Sequence, residues 1–156
     1  MTLKEIKKDL RRIKRFERAL ESKRVIELQS RERIEWLKKA GHSPKSLSER
    51  EQAIFELEAT IKLLDIPGYI RRSHALKNKY IAYIDKLEEQ DQELINLCYI
   101  NYSGTQAQVA KKLNYSKKWL EKRLHEACER LCEVANNTPS TASGPPPSGM
   151  ETKEGV

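Results

Sequence analysis

The sequence predicts an all-α protein, and three observations carry that prediction. Apolar residues recur at three- and four-residue spacing from Leu3 onward. The segments that bear this spacing are bounded by capping residues and by glycine or proline. The composition, 34% charged against 38% hydrophobic with six glycines and six prolines in 156 residues, is that of a helix-rich chain with a thin core. Together they predict an N-terminal antiparallel helical hairpin of coiled-coil type over residues 1–66. A C-terminal helix-turn-helix domain follows over 69–135, then a disordered tail over 136–156.

In the first helix Leu3, Ile6, Leu10, Ile13 and Leu20 keep heptad spacing, with Phe16 near the missed position. Val25, Ile26, Leu28, Ile34, Trp36 and Leu37 continue it less regularly, and Trp36 is expected to pack within the hairpin. Gly41 ends the helix and His42, Ser43 and Pro44 form the turn. Ser46 with Glu49, and Ser48 with Glu51, both fit a capping box for the second helix. That helix carries Ile54, Leu57, Ile61 and Leu64 at heptad spacing and is expected to end at Pro67-Gly68. A third helix is expected over about residues 70–87, with Ile81, Ile84 and Leu87 on one side. The two stripes of the hairpin are narrow seams. A seam needs a partner, either the other arm or a second chain; both are expected, giving a homodimer.

Residues 105–132 are the most informative part of the chain. Thr105 is suited to an N-cap, and Gln108 three residues on completes a capping box. Ala107, Val109, Ala110 and Leu113 suit tight contact with a crossing helix. Asn114 tolerates the left-handed conformation a turn requires, Tyr115 is expected to plug the turn into the core, and Ser116 caps the next helix. On that helix Leu120, Leu124, Ala127, Cys128 and Leu131 share one face. Lys118, Lys122 and His125 lie opposite, flanked by Lys117 and Glu121 and, on the other side, by Trp119. Trp119 either props the turn beside Tyr115 or meets a thymine methyl or sugar. Residues 105–125 hold six basic side chains against the single acid Glu121. This is the layout of a helix-turn-helix, whose second helix enters the major groove of duplex DNA. An ordinary surface helix with a solvated charged face is the competing reading.

Residues 74–132 resemble the C-terminal region of the RinA/ArpU-type phage late-transcription regulators, and 91–132 more distantly resemble region four of bacterial sigma factors. The resemblance rests on the helix ending Asp85-Lys86-Leu87-Glu88-Glu89 and on the run from Glu93 to Ile100. It continues through Val109-Ala110-Lys111-Lys112-Leu113 and the Ser116-led helix ending Ala127-Cys128-Glu129-Arg130-Leu131. It implies a sigma-like domain in which Lys117, Lys118, Trp119, Glu121 and Lys122 meet base edges while Thr105 and Gln106 touch phosphate. The chain departs from the sigma pattern at Arg123, where an apolar residue is usual, at Asn114, where glycine is common, and at Trp119.

The formal charge is +7 and is unevenly spread: residues 1–40 carry 14 basic and 7 acidic side chains, which equals the whole net value. A basic balance suits a polyanion, nucleic acid first and an anionic membrane surface second. Lys7, Lys8, Arg11, Arg12, Lys14 and Arg15 make the first helix a second candidate for phosphate contact, although a solvated outer face of the hairpin is the preferred reading.

Other chemistries find little support. Cys98, Cys128 and Cys132 are an odd set with no disulfide-framework spacing. His125, Cys128 and Cys132 share a helical face, but zinc usually takes four ligands in paired spacings. His42 and His74 lack obvious partners. Glu88, Glu89, Asp91 and Glu93 suit a helix N-terminus. No Walker loop, dinucleotide fingerprint, HExxH or nucleophile–base pair is present, so neither an enzyme nor a cofactor is expected. The charged N-terminus lacks a signal-peptide pattern, and no apolar run approaches a membrane span, so the expected place is the cytoplasm; the resemblance implies that of a bacterial host. From Asn136 the chain lacks large apolar residues until Met150 and is expected to be disordered; solubilising filler is the preferred reading, with a spacer or a partner-binding tail as alternatives.

The expected function, implied by the resemblance, is sequence-specific binding of double-stranded DNA to regulate transcription. The resemblance implies activation of late phage genes, with host RNA polymerase as a further partner. Two alternatives stand beside it: a DNA-packaging recognition subunit of the small-terminase type, and a helical module that binds acidic protein surfaces.

Overall fold

The computed structural model describes residues 1–39, 46–101 and 104–138. The expected turn at His42-Ser43-Pro44 and nearly all of the expected disordered tail lie outside the described residues. Among the described residues the fold is all-α, with no strand. The helices are α1 (Leu3–Lys38), α2 (Leu47–Leu64), α3 (Ile66–Ile84), α4 (Glu89–Ile95), α5 (Gln106–Lys112) and α6 (Lys117–Asn137). None of them is long and apolar enough to cross a membrane.

The compact units divide the chain differently from the expected boundaries. One unit is residues 1–14 with 75 onward; the other is residues 15–74. The physical reason is the partner of the α1 stripe. Ile6, Leu10 and Ile13 enter a broad core with Tyr80 and Ile84 of α3, Leu94 and Ile95 of α4, and the apolar arc of α6. The N-terminal turns of α1 are therefore core elements of the C-terminal unit and not part of a free-standing hairpin.

Within that unit α1 runs antiparallel along α6. The Met1 ammonium donates to Asn136 Oδ1 at 2.7 Å, Cys132 Sγ donates to the Met1 carbonyl at 3.3 Å, and Lys7 Nζ lies 2.8 Å from His125 Nδ1. Tyr80 is fully buried, and its hydroxyl donates to Asp9 Oδ2 at 2.7 Å, so its polar tip is satisfied. Burial and the neighbouring Asp9 carboxylate push the Tyr80 phenol well above its usual range. After α4 the chain continues as a π-turn over Asn96–Ile100, closed by the Asn101 N–H to the Asn96 carbonyl at 2.6 Å. The wider turn keeps Leu94, Ile95, Cys98 and Tyr99 all buried.

Asp91 in the first turn of α4 is 2% exposed and pairs in bidentate fashion with Arg130 of α6, whose Nη2 lies 2.8 Å from Asp91 Oδ1. The pairing raises the Arg130 guanidinium further above its usual value. On the same flank of α6, Arg123 donates to Gln90 Oε1 at 3.1 Å. Two arginines thus bolt α4 to α6, a role the acid-rich start of α4 conceals in the sequence.

In the other unit Phe16, Leu20, Ile34 and Leu37 of α1 are buried. Phe16 stacks on Tyr69 with centroids 5.7 Å apart and meets His74 edge-on at 5.6 Å. The helix α2 opens on the Ser46–Glu49 capping box, the first of the two expected. It has no buried residue: Ile54, Leu57, Ile61 and Leu64 are half-buried, and Ile61 lines a cleft with Ile34 of α1. Trp36 is half-buried beneath Arg33, whose guanidinium carbon is 4.4 Å from the ring centroid.

The junction to α3 corrects the expected break at Pro67-Gly68. Asp65, at φ 43°, ends α2, and its Oδ1 accepts the Gly68 N–H, so α3 starts at Ile66 with Pro67 in its first turn. Proline is tolerated there because first-turn N–H groups lack helical acceptors. An added Cβ at Gly68 would sit 2.1 Å from Asp65 Oδ2, so a larger residue would displace the carboxylate that accepts the Gly68 N–H.

Candidate nucleic-acid interface

The candidate interface is built by α5, the turn at residues 113–116 and the first half of α6. Thr105 caps α5: its hydroxyl accepts the Gln108 N–H at 3.2 Å while Gln108 Oε1 accepts the Thr105 N–H at 2.8 Å. Val109 and Ala110 are buried against α6, whereas Ala107, expected at the same contact, faces solvent. Asn114 takes the left-handed conformation at φ 61°, and the Tyr115 N–H bonds to the Ala110 carbonyl at 2.8 Å, closing the turn. Ser116 accepts the Trp119 N–H at 3.1 Å and starts α6.

Burial on α6 falls on Leu120, Leu124, Ala127, Cys128 and Leu131, the apolar arc that helical periodicity picks out. Of the residues singled out from the sequence, Thr105, Lys117, Lys118, Trp119, Glu121, Lys122 and His125 are exposed and Gln106 is half-buried. Lys111 and Lys112 at the end of α5 are exposed as well. The start of α6 thus presents a cationic outer face above a sealed apolar one.

Tyr115 departs from expectation, Trp119 takes the first of its two expected roles beside it, and His125 is engaged by neighbours. Tyr115 does not plug the core; it is 41% exposed and meets Trp119 edge-on with centroids 6.2 Å apart. The sequence places it on a turn whose φ > 0 residue precedes it, and the backbone turns its ring outward beside the α6 face. Trp119 carries Lys122 Nζ and the Arg123 guanidinium carbon each 5.8 Å from its ring centroid. The aromatic pair therefore braces the turn and holds two cations by cation–π attraction. His125 is engaged on both sides, by Lys7 at Nδ1 and by Glu129 Oε1 at 3.8 Å from Nε2.

The cysteines are core groups. Cys98 and Cys128 are buried, and burial raises both thiols, Cys128 to about 11. Burial also pushes the neighbouring Tyr99 phenol up to about 12. Among the described residues no group of three His, Cys, Asp or Glu side chains is placed to hold a metal.

Sequence reasoning separates the basic first helix from the α5–α6 region; the structure brings them together. Lys7 and Arg11 line one cleft with Gln106, Glu121 and His125, over a floor that includes Tyr99 and Cys128. No family model matches this chain, and no curated protein or solved structure is similar to it.

Proposed function

We propose that this protein binds double-stranded DNA sequence-specifically and regulates transcription, with α6 as the helix that enters the major groove. The observation that carries the reading is the division of α6. Five side chains on one face are buried, while Lys117, Lys118, Trp119, Glu121 and Lys122 stand exposed at the end that follows a tight, capped turn. A major-groove reader needs that arrangement: donors and acceptors at the helix start, cations to neutralise phosphate, and a rigid scaffold behind. The sharper form of the proposal is an activator of late phage genes acting with host RNA polymerase in a bacterial cytoplasm, and it rests on the resemblance of residues 74–132 to that family. Homodimerisation is part of the proposal, with a second copy covering α2, where Phe55 and Leu63 are 66% and 84% exposed.

Selection from a randomised duplex pool tests the central claim. Enrichment of one motif, lost in the Lys118→Ala/Lys122→Ala double variant, supports it. Failure of the wild-type protein to retain any duplex at low salt refutes it. The small-terminase alternative shares the exposed α2 surface as a point in its favour. It calls for a ring of many copies, whereas the regulator calls for a dimer, so mass measurement in solution separates the two.

A further inference from the structure

The cleft between α1, α5 and α6 gives the basic first helix a specific task. Lys7, Arg11 and Lys14 lie along one stripe of α1, within roughly 60° of one another at about 100° per residue. That stripe turns toward α6: Lys7 contacts His125, and Lys7 and Arg11 line the cleft with Gln106 and Glu121. All three cations act electrostatically on the buried groups just beneath, Lys14 on Cys98, Arg11 on Tyr99, and Lys7 and Arg11 on Cys128. Lys7 is half-buried and Arg11 exposed, so the cleft is open to a ligand.

We infer that this cleft is a phosphate seat for the DNA backbone: Lys7 and Arg11 grip one strand beside the reading helix, with the Gln106 amide as a neutral donor. The inference rests on the proposed function and extends it. Three features favour phosphate as the occupant. Arginine and lysine from a rigid helix converge with an amide donor, a set that suits an oxyanion. The seat borders the face expected to read bases, and a reading helix needs backbone contacts beside it to fix its register and depth. The carboxylate in the cleft, Glu121, lies on the α6 side, where it can accept from a cytosine amino group instead of opposing the phosphate. The contact of Lys7 with His125 also locks α1 to α6, so phosphate grip and base reading move as one body.

The test measures binding to a 20-bp duplex of mixed sequence between 50 and 300 mM salt, for the full chain and two double variants. Lys7→Gln/Arg11→Gln removes the seat. Lys8→Gln/Arg12→Gln removes equal charge from positions roughly 100° and 140° further round α1 than Lys7. Losing two phosphate contacts should flatten the slope of log K against log salt by about 1.8 and weaken binding about 30-fold at 0.15 M. The control variant should leave the slope within half a unit of wild type, and the charge-preserving Lys7→Arg/Arg11→Lys variant should restore it. The motif enriched from a random pool should be unchanged in the seat variant, because phosphate contacts carry no sequence information. An unchanged slope in a folded seat variant overturns the inference and leaves the proposed function standing. Equal losses in both double variants reduce the effect to net charge and also overturn it. If wild type binds no duplex, the proposed function and the seat fall together.

Discussion

Replacing Arg130 with Met asks what the Asp91–Arg130 pair contributes, and the structure makes the answer asymmetric. The Asp91 side chain is 3% exposed and the Arg130 side chain 44% exposed. Removing the arginine strands a carboxylate in the core, and breaking a buried pair in that way costs about 3–5 kcal/mol when no water can enter. Here Asp91 borders a cleft of about 390 Å³ that Lys86 also lines, so partial solvation trims the expected cost to about 2–4 kcal/mol. Removing the other partner is milder. In Asp91→Asn the half-exposed guanidinium turns to water and an amide oxygen still accepts one hydrogen bond, for a loss of about 1–2 kcal/mol. For a folding unit of this size each kcal/mol moves the melting temperature by roughly 4–8 °C. Thermal and urea unfolding followed by circular dichroism should therefore rank wild type above Asp91→Asn and Asp91→Asn above Arg130→Met. Because pairing raises an already high guanidinium, Arg130 stays charged through neutral and mildly alkaline pH, and the ranking should be the same at pH 6 and pH 9. An aspartate variant that costs as much as the arginine variant, or two variants each within about 0.5 kcal/mol of wild type, would refute the reasoning.

Three further outcomes are expected. Stability should fall at alkaline pH: Cys128 and Tyr99 are raised in the folded chain to about 11 and about 12 from 9.0 and 10.0, so their contribution is full below pH 9 and drains away as pH climbs through 9–12. A urea midpoint constant from pH 8.5 to 10.5 contradicts this. In native protein Cys132, half-buried, should react with a thiol reagent before the buried Cys98 and Cys128, and equal rates for all three would sink that assignment. Ile61→Asp places a charge in the half-buried cleft beside Ile34 and should cost the 15–74 unit about 1–3 kcal/mol, with the amide spectrum of the other unit retained. Unchanged unfolding of the 15–74 unit would remove Ile61 from the seam.

Local signals survived the passage from sequence to structure better than long-range ones. The Thr105–Gln108 box, the left-handed Asn114, the Ser116 cap and the buried arc of α6 all depend on residues within a few positions of each other, so spacing alone specifies them. The Asp91–Arg130 bolt spans 39 positions, and an acid near a helix start already has a sufficient local explanation in the helix dipole. The π-turn at Asn96–Ile100 is invisible for a different reason. Leu94, Ile95, Cys98 and Tyr99 look like an ordinary helical stripe, and only the Asn101 to Asn96 hydrogen bond reveals the extra residue.

The partition of α1 shows why periodicity names a face but not its partner. Leu3 to Leu20 keep one seam-like spacing, yet Ile6, Leu10 and Ile13 belong to one core while Phe16 and Leu20 belong to the other unit. A heptad stripe is equally satisfied by a second helix of a coiled coil or by a broad core, because both bury the same face. What differs is the fate of the flanking charges. Beside a lone seam, Lys7 and Arg11 face water and need only solvation. With the stripe docked in the core that α6 also seals, the same residues are carried to the rim of the α5–α6 face, where Lys7 meets His125. The partner of three buried aliphatic side chains thus decides whether the most basic helix of the chain is a solvated surface or part of the candidate interface, and the salt slopes of the seat and control variants measure that difference directly.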